Sequence, residues 1–473
     1  MDRRTFLKTS GATAALFSAP QLANAAISPT HSMSLTAAVG KAGLLGTDGP
    51  ATDVWSYNGR VPGPVIRAKQ GEHLNIEMTN QLDQNTTIHW HGLRVANNMD
   101  GVPFLNQYPI EPTKSFTYSF QVNDAGTYWY HPHVNSDEQV GRGLAGAIII
   151  EEQKPVDVDR DLVWVLDDWR VNKDGQLVPF GGNLHDAAHA GRIGNVATIN
   201  GIGDENLHAT TNERIRLRLI NTANARVFGL DFKGHSPWRI AVDGHPVQPQ
   251  KVEGLTIIPP GGRVDLILDL TGDAGTEFNI IDGYYGRNAY LFSKIKYVSG
   301  KPLRSKPLAP PTQLAANPVA KPDLSNAEIF PLVFAGGAMG GMRDARFRGE
   351  TLDLRTLAGM GMVWAINGEV IAPMTKDDIG KPILDLTLGK TYQLRLTNDT
   401  AFDHPIHLHG HSFHLLSRNG NKLEQPEIMD TVLISPDQYV DIAFVADNPG
   451  NWAFHCHVLE HAASGMMGYV RVG

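Results

Sequence analysis

The only cysteine in this 473-residue chain, Cys456, stands between His455 and His457. Successive side chains on a β-strand point to opposite faces. An extended His455-Cys456-His457 segment therefore sends two imidazoles one way and a thiol the other. One tripeptide can then serve two metal centres on opposite sides of a strand. His461 and Met466 follow closely enough to fold back beside the sulfur. Two imidazoles, a thiolate and a weak thioether form the ligand set of a blue-copper electron-transfer site. The second imidazole has to come from elsewhere, and His404 is the best candidate.

Of the 19 histidines, ten fall into His89/His91, His131/His133, His404/His407/His409 and His455/His457/His461. A His-x-His pair on a strand puts both rings on one face. Each pair alone is a modest signal, and Pro132 argues against a regular central strand at the second. Together with the cysteine they exceed the four ligands of a structural zinc site and imply several metal ions. The first two clusters lie early in the chain and the last two late. Their expected meeting place is an interface between a first and a third domain.

The elements that must carry these residues repeat. Tyr57-Asn58-Gly59, Ile199-Asn200-Gly201 and Ile366-Asn367-Gly368 each precede an alternating strand: His73 to Met78, Arg214 to Leu219 and Tyr392 to Leu396. Thr79-Asn80, Ile220-Asn221 and Thr397-Asn398 follow. Asn-Gly marks a turn and alternation marks a half-buried strand. Three copies of one β-sandwich unit account for the pattern. The expected division is 26–153, 157–300 and 327–473, with 301–326 as a linker; six prolines fall between Ser299 and Asp323. The middle copy lacks a His-x-His pair and is expected to act mainly as a spacer.

A hydrophobic share of 42%, with 48 glycines and 29 prolines, suits turn-rich β cores. The net charge of −8 comes without a dominant basic tract, which disfavours nucleic acid. Arg3-Arg4-Thr5-Phe6-Leu7-Lys8, the apolar stretch Ala12 to Leu22 and Ala23-Asn24-Ala25 read as a twin-arginine signal over 1–25. The apolar stretch is too short for a stable membrane span. Export by the twin-arginine machinery to the periplasm is expected, and so is a monomer.

His89-Trp90-His91-Gly92, Tyr128 to His133, His404 to Gly410 and His455 to His461 resemble the four copper motifs of the multicopper oxidases, in order. The resemblance spans essentially the whole mature chain. It implies an all-β fold of three consecutive cupredoxin-like Greek-key sandwiches and reduction of O2 to water. It implies about four copper ions per chain: one type 1, one type 2 and a type 3 pair. On this chain His404, Cys456 and His461 would hold the blue copper, with Met466 axial. His89 and His407 would hold the type 2 ion. His91, His131, His133, His409, His455 and His457 would hold the pair. Asp100 matches the family's acidic residue near the cluster and could relay protons; read alone, it is equally a turn aspartate before Gly101. Some bacterial relatives place Glu directly after the last blue-copper histidine, where this chain has Ala462. His411 and His414 match no ligand position and read as packing residues.

The expected donor is Cu(I) or a phenolic or aromatic compound. Met339, Met342, Met360 and Met362 flank a charged stretch, Arg343 to Arg355, and resemble the methionine-rich insertion of cuprous oxidases. Thioethers select Cu(I), yet methionine also fills apolar gaps, and no histidine run adjoins these four. Asp430, after Met429, resembles a donor-contacting position. Cu(I) oxidation would serve copper tolerance. The alternatives are a general laccase and a copper-binding scaffold without activity.

Overall fold

The computed structural model describes residues 30–46, 48–325, 327–371 and 374–473. The expected signal lies outside the described residues. Among those described, no helix is long and apolar enough to cross a membrane.

Two four-stranded sheets occupy residues 30–151, a six- and a five-stranded sheet 160–297, and a nine- and a five-stranded sheet 329–472. Each pair of sheets encloses its own apolar core. The all-β, three-sandwich expectation holds. In each sandwich the first long strand runs parallel to the alternating strand: Thr30–Ala42 with His73–Asn80, Arg160–Trp169 with Glu213–Asn221, and Ile329–Gly336 with Thr391–Asp399.

The repeated asparagines have defined work. Asn58, Asn200 and Asn367 take φ of 54°, 52° and 52°, each followed by a positive-φ glycine. Two left-handed residues in a row make the type I′ turn. Each Asn Oδ1 accepts from the first strand, at Thr36 N, Val165 N and Val333 N. Each Nδ2 donates to the carbonyl two residues earlier. Asn80, Asn221 and Asn398 are buried, and their Nδ2 groups donate to Ile110, Ile258 and Ile434 carbonyls at 2.8–2.9 Å. Their Oδ1 atoms accept from Leu82, Ala223 and Thr400 amides. These bonds satisfy backbone groups where each alternating strand ends and fix the loop that leads on.

Two expectations change. His73–Asn80 alternates between buried and more open positions as expected, but Glu213–Asn221 is buried at every position. Arg216 and Arg218 bury their guanidinium groups against Asp265, Asp161 and Glu152. Arg218 Nη1 also donates to Thr127 Oγ1 of the first sandwich at 2.9 Å. Paired charges and a covering sandwich make burial tolerable. The middle unit is therefore an integral part of the interface rather than a spacer. Residues 301–325 hold no helix or strand, yet they are pinned. Buried Asn317 bonds both backbone groups of Ala125 and the carbonyl of Gly244.

Candidate functional site

The strand His404–Leu408 pairs with Gly450–Cys456, setting His407 opposite His455 and Ile406 opposite Cys456. The register puts both imidazoles on one face and sends the thiol into the apolar core of the third sandwich. The strand ends at Cys456, one residue short of the expected extended tripeptide. His457 nevertheless stays with the cluster, because its amide donates to the Pro405 carbonyl at 2.6 Å.

On the thiol side, His404 Nδ1 and His461 Nδ1 lie 3.4 and 3.6 Å from Cys456 Sγ and 3.1 Å from each other. Metals bind nitrogen and sulfur at about 2.0–2.3 Å, and donors around one ion stand at such separations. The far nitrogens are tied: His404 Nε2 to Thr400 Oγ1, and His461 Nε2, as donor, to the His189 carbonyl. Trp364 packs on both rings. Met466 is buried here, its carbonyl accepting from the Cys456 amide. All three donor residues are fully buried, so the centre lies beneath a cover. Burial pushes the Cys456 thiol well up and His461 down to about 3. Two neutral imidazoles thus face a sulfur that only a bound cation would turn into thiolate.

On the other face eight histidines converge from two sandwiches. His91, His131 and His457 form one triad, with ring centroids 5.0–5.9 Å apart. His133, His409 and His455 form another at 5.1–5.2 Å. His89 and His407 stand 5.8 Å apart between them. The strand His89–His91 pairs with Gly126–His131, setting His89 opposite His131. Six rings are oriented by donating one nitrogen hydrogen outward. His89, His131, His407 and His455 donate from Nδ1 to the carbonyls of Asp100, Pro132, Asp430 and Cys456. His91 Nε2 donates to Asp430 Oδ1, and His409 Nδ1 to Asp100 Oδ2. Such outer bonds fix the tautomer and aim the second nitrogen. The inward atoms His89 Nε2, His91 Nδ1, His131 Nε2 and His407 Nε2 are buried without a hydrogen-bond partner, as are both His457 nitrogens. Buried polar atoms are normally satisfied. Converging, unprotonated imidazoles that lack a partner fit copper. Burial and the neighbouring histidines lower the pKa values of His131, His409 and His455, the last to about 3.

Asp100 is fully buried within this cluster. Asp430 is relocated by the structure. It is 1% exposed and lies on the cluster side, so it makes no donor surface. Burial pushes its carboxyl up, but Arg263, His407 and His91 outweigh this and hold it well below the usual range. Arg263 Nη1 donates to Asp430 Oδ1 at 2.7 Å. Asp243 accepts from the Arg263 and Thr431 amides. Both partners come from the middle sandwich, and no spacing in the sequence pointed to them. His411 packs on Phe444 and Trp452, outside the cluster.

A largely apolar cavity of 330 Å³ reaches His131, His133 and His455, walled by Val102, Phe104, Asp137 and Ala462. It gives a small molecule access to the cluster. The four methionines divide. Met342 and Met362 pack with Leu357 and Val370, whereas Met339 and Met360 are exposed.

Family models described as multicopper oxidase match residues 39–155, 160–290 and 353–473. The chain is 30% identical to the multicopper oxidase MmcO of Mycobacterium tuberculosis, over 88% of this chain and 83% of that one. The solved multi-copper oxidase of Pseudomonas Thermotolerans superposes with a TM-score of 0.81 at 34% identity, covering 94% of this chain and all of that chain. A multicopper oxidase from Campylobacter jejuni, described as a metallo-oxidase, gives 0.78 at 26% identity, covering 94% and 91%.

Proposed function

The chain belongs to the multicopper oxidase family, and from that premise we propose that it couples one-electron oxidation of Cu(I) to reduction of dioxygen. The family implies copper, and the buried donor sets fit it. His404, Cys456 and His461 would hold the blue ion, with the Met466 thioether as a weak further donor. His89 and His407 would hold the type 2 ion. The triads His91/His131/His457 and His133/His409/His455 would hold the type 3 pair. Copper bound there supplies one-electron uptake at the thiolate and four-electron reduction of O2 to water at the cluster of three.

The single observation that carries this reading is the register of Gly450–Cys456. Cys456 and His455 are covalent neighbours facing opposite centres, and the Cys456 carbonyl accepts from His455 Nδ1 at 2.8 Å. The backbone is thus a short electron path between the two sites. The chain's other residues orient and shield. Trp364 and the His189 carbonyl fix His461. Arg263 and Asp243 hold Asp430 as an acceptor for His91. Asp100 fixes His409 and sets a buried carboxyl within the cluster, where it can pass protons inward. Ala462, on the cavity wall, offers no carboxyl for that task.

Cu(I) is favoured as donor because soft thioether groups lie on the thiol side of the molecule, where Met339 is 80% exposed. We further propose export by the twin-arginine route and a role in copper tolerance. Oxygen uptake by the copper-replete chain with Cu(I) and with a phenol tests the donor. Preferential turnover of Cu(I) supports the proposal, and turnover of the phenol alone makes the protein an organic laccase.

A further inference from the structure

The segment that follows His131 and His133 turns at once into a short helix. Asn135 takes a left-handed φ of 42°, and Ser136–Gly141 begins on the next residue. The turn leaves Asp137 on the wall of the 330 Å³ cavity that reaches His131, His133 and His455. Among the described residues Asp137 is the only carboxyl on that wall. It also lines a second cavity of 320 Å³, together with Phe180, Arg192, Gly359 and Glu460. Of the described residues only Asp137 and Ala463 line both cavities, and only Asp137 can carry a proton.

Its position is held from the middle sandwich. Asn224 Nδ2 donates to the Asp137 carbonyl at 2.7 Å and to Glu460 Oε1 at 2.8 Å. One amide nitrogen thereby ties a helix of the first sandwich to Leu459–Ala463 of the third, which carries His461. Burial pushes the Asp137 carboxyl up, and the Glu138 amide that bonds to it offsets only part of the rise. Charged and titratable groups face it from every side. They are Glu138 on its own helix, Arg192 and Asp186 from the middle sandwich, Glu460 from the third, and His133 and His455 across the first cavity. Glu460 lines the second cavity alone and does not reach those histidines.

Reduction of dioxygen to water consumes a proton for every electron. Asp100 is fully buried, so solvent cannot resupply it directly. Ala462 lines the first cavity without a carboxyl. We propose that Asp137 takes up protons at the second cavity and releases them through water in the first to the histidine cluster. The inference rests on the dioxygen reading above and names where protons enter. A water occupies about 30 Å³ of liquid, so either cavity holds a chain of them. In each transfer the carboxyl O–H bond breaks, its proton leaves along the chain, and solvent returns one to the carboxylate. The electrons arrive from the donor by way of the thiol side, so Asp137 is neither oxidised nor reduced.

Asp137→Asn keeps the size and removes the transferable proton. Stopped-flow reoxidation of the copper-replete variant by dioxygen is expected to slow about 10²-fold, the low end of what a positioned acid contributes. The loss should deepen as pH rises, because free hydronium must then stand in for the carboxyl. Anaerobic bleaching of the blue band by the donor should keep its wild-type rate, with copper content retained. Asp137→Glu, or Ala462→Glu added to the Asn variant, should restore reoxidation by returning a carboxyl to the cavity wall. On copper-free protein, the infrared spectrum of wild type minus that of Asp137→Asn should show a carboxylic-acid band that persists where ordinary carboxyls are ionised. A wild-type reoxidation rate in Asp137→Asn, a slowed rate that neither glutamate restores, or no such band overturns the relay and leaves the dioxygen reading standing. Wild-type protein that consumes no oxygen with any donor overturns the dioxygen reading, and the relay with it.

Discussion

Asp100 Oδ2 accepts the Nδ1 hydrogen of His409 at 2.9 Å, although the two residues are 309 positions apart. The bond joins the first sandwich to the third inside the histidine cluster. Asn at position 100 keeps the shape and removes the ionisable carboxyl. Asp100→Asn is expected to slow reoxidation of the reduced protein by dioxygen about 10²–10⁴-fold. Its blue absorbance should survive. Stopped-flow reoxidation measures this, and a wild-type rate would remove Asp100 from proton delivery.

Cys456→Ser replaces a soft sulfur by a hard oxygen at the one atom facing the thiol-side centre. The variant should lose its blue colour and its oxidase activity. It should keep the copper of the histidine cluster, because His455 and His457 are held by carbonyls that the substitution leaves in place. Metal analysis with optical spectroscopy checks this, and a blue serine variant would refute the assignment of the sulfur.

Arg263→Met would leave Asp430 and Asp243 without their buried cation. Breaking a buried pair from one side costs about 3–5 kcal/mol. A lower calorimetric unfolding temperature and a lower copper content are expected together. An unaltered unfolding temperature would show that the middle sandwich does not brace the cluster.

Copper-free protein should lose stability on mild acidification. Free imidazole titrates near 6.5, whereas burial holds His455 and His461 down to about 3. Between these values the unfolded chain binds protons that the folded chain refuses. The stability these groups contribute is therefore full above 6.5 and lost as pH falls toward 3. Carboxyls raised by burial, Asp243 and Glu460 to about 7 among them, act in the opposite sense but are fewer. Thermal unfolding of the copper-free chain at about pH 7 and about pH 5 tests the sign; equal or higher stability at the lower pH would contradict it.

What spacing could reveal, and what it could not, follows from the range of the interactions. Strand alternation is local, so the opposite facing of His455 and Cys456 was legible. The Asn-Gly turns are local too, and they disclosed the threefold repeat. The half-buried reading of Arg214 to Leu219 missed the burial of Arg216 and Arg218, because what covers them comes from elsewhere in the chain. Asp430 was misplaced at a donor surface because nothing beside it in the chain reveals Arg263. His189 carried no sign in the sequence, since it acts on His461 through a carbonyl that every residue possesses.

The central claim is that one ribbon joins a thiolate-held ion to a cluster of three. Copper counting with electron paramagnetic resonance on the copper-replete chain tests it most directly. The account predicts about four coppers: a blue signal, a normal signal, and a coupled pair that gives none. A colourless protein, or one whose signals account for all of its copper, would contradict it.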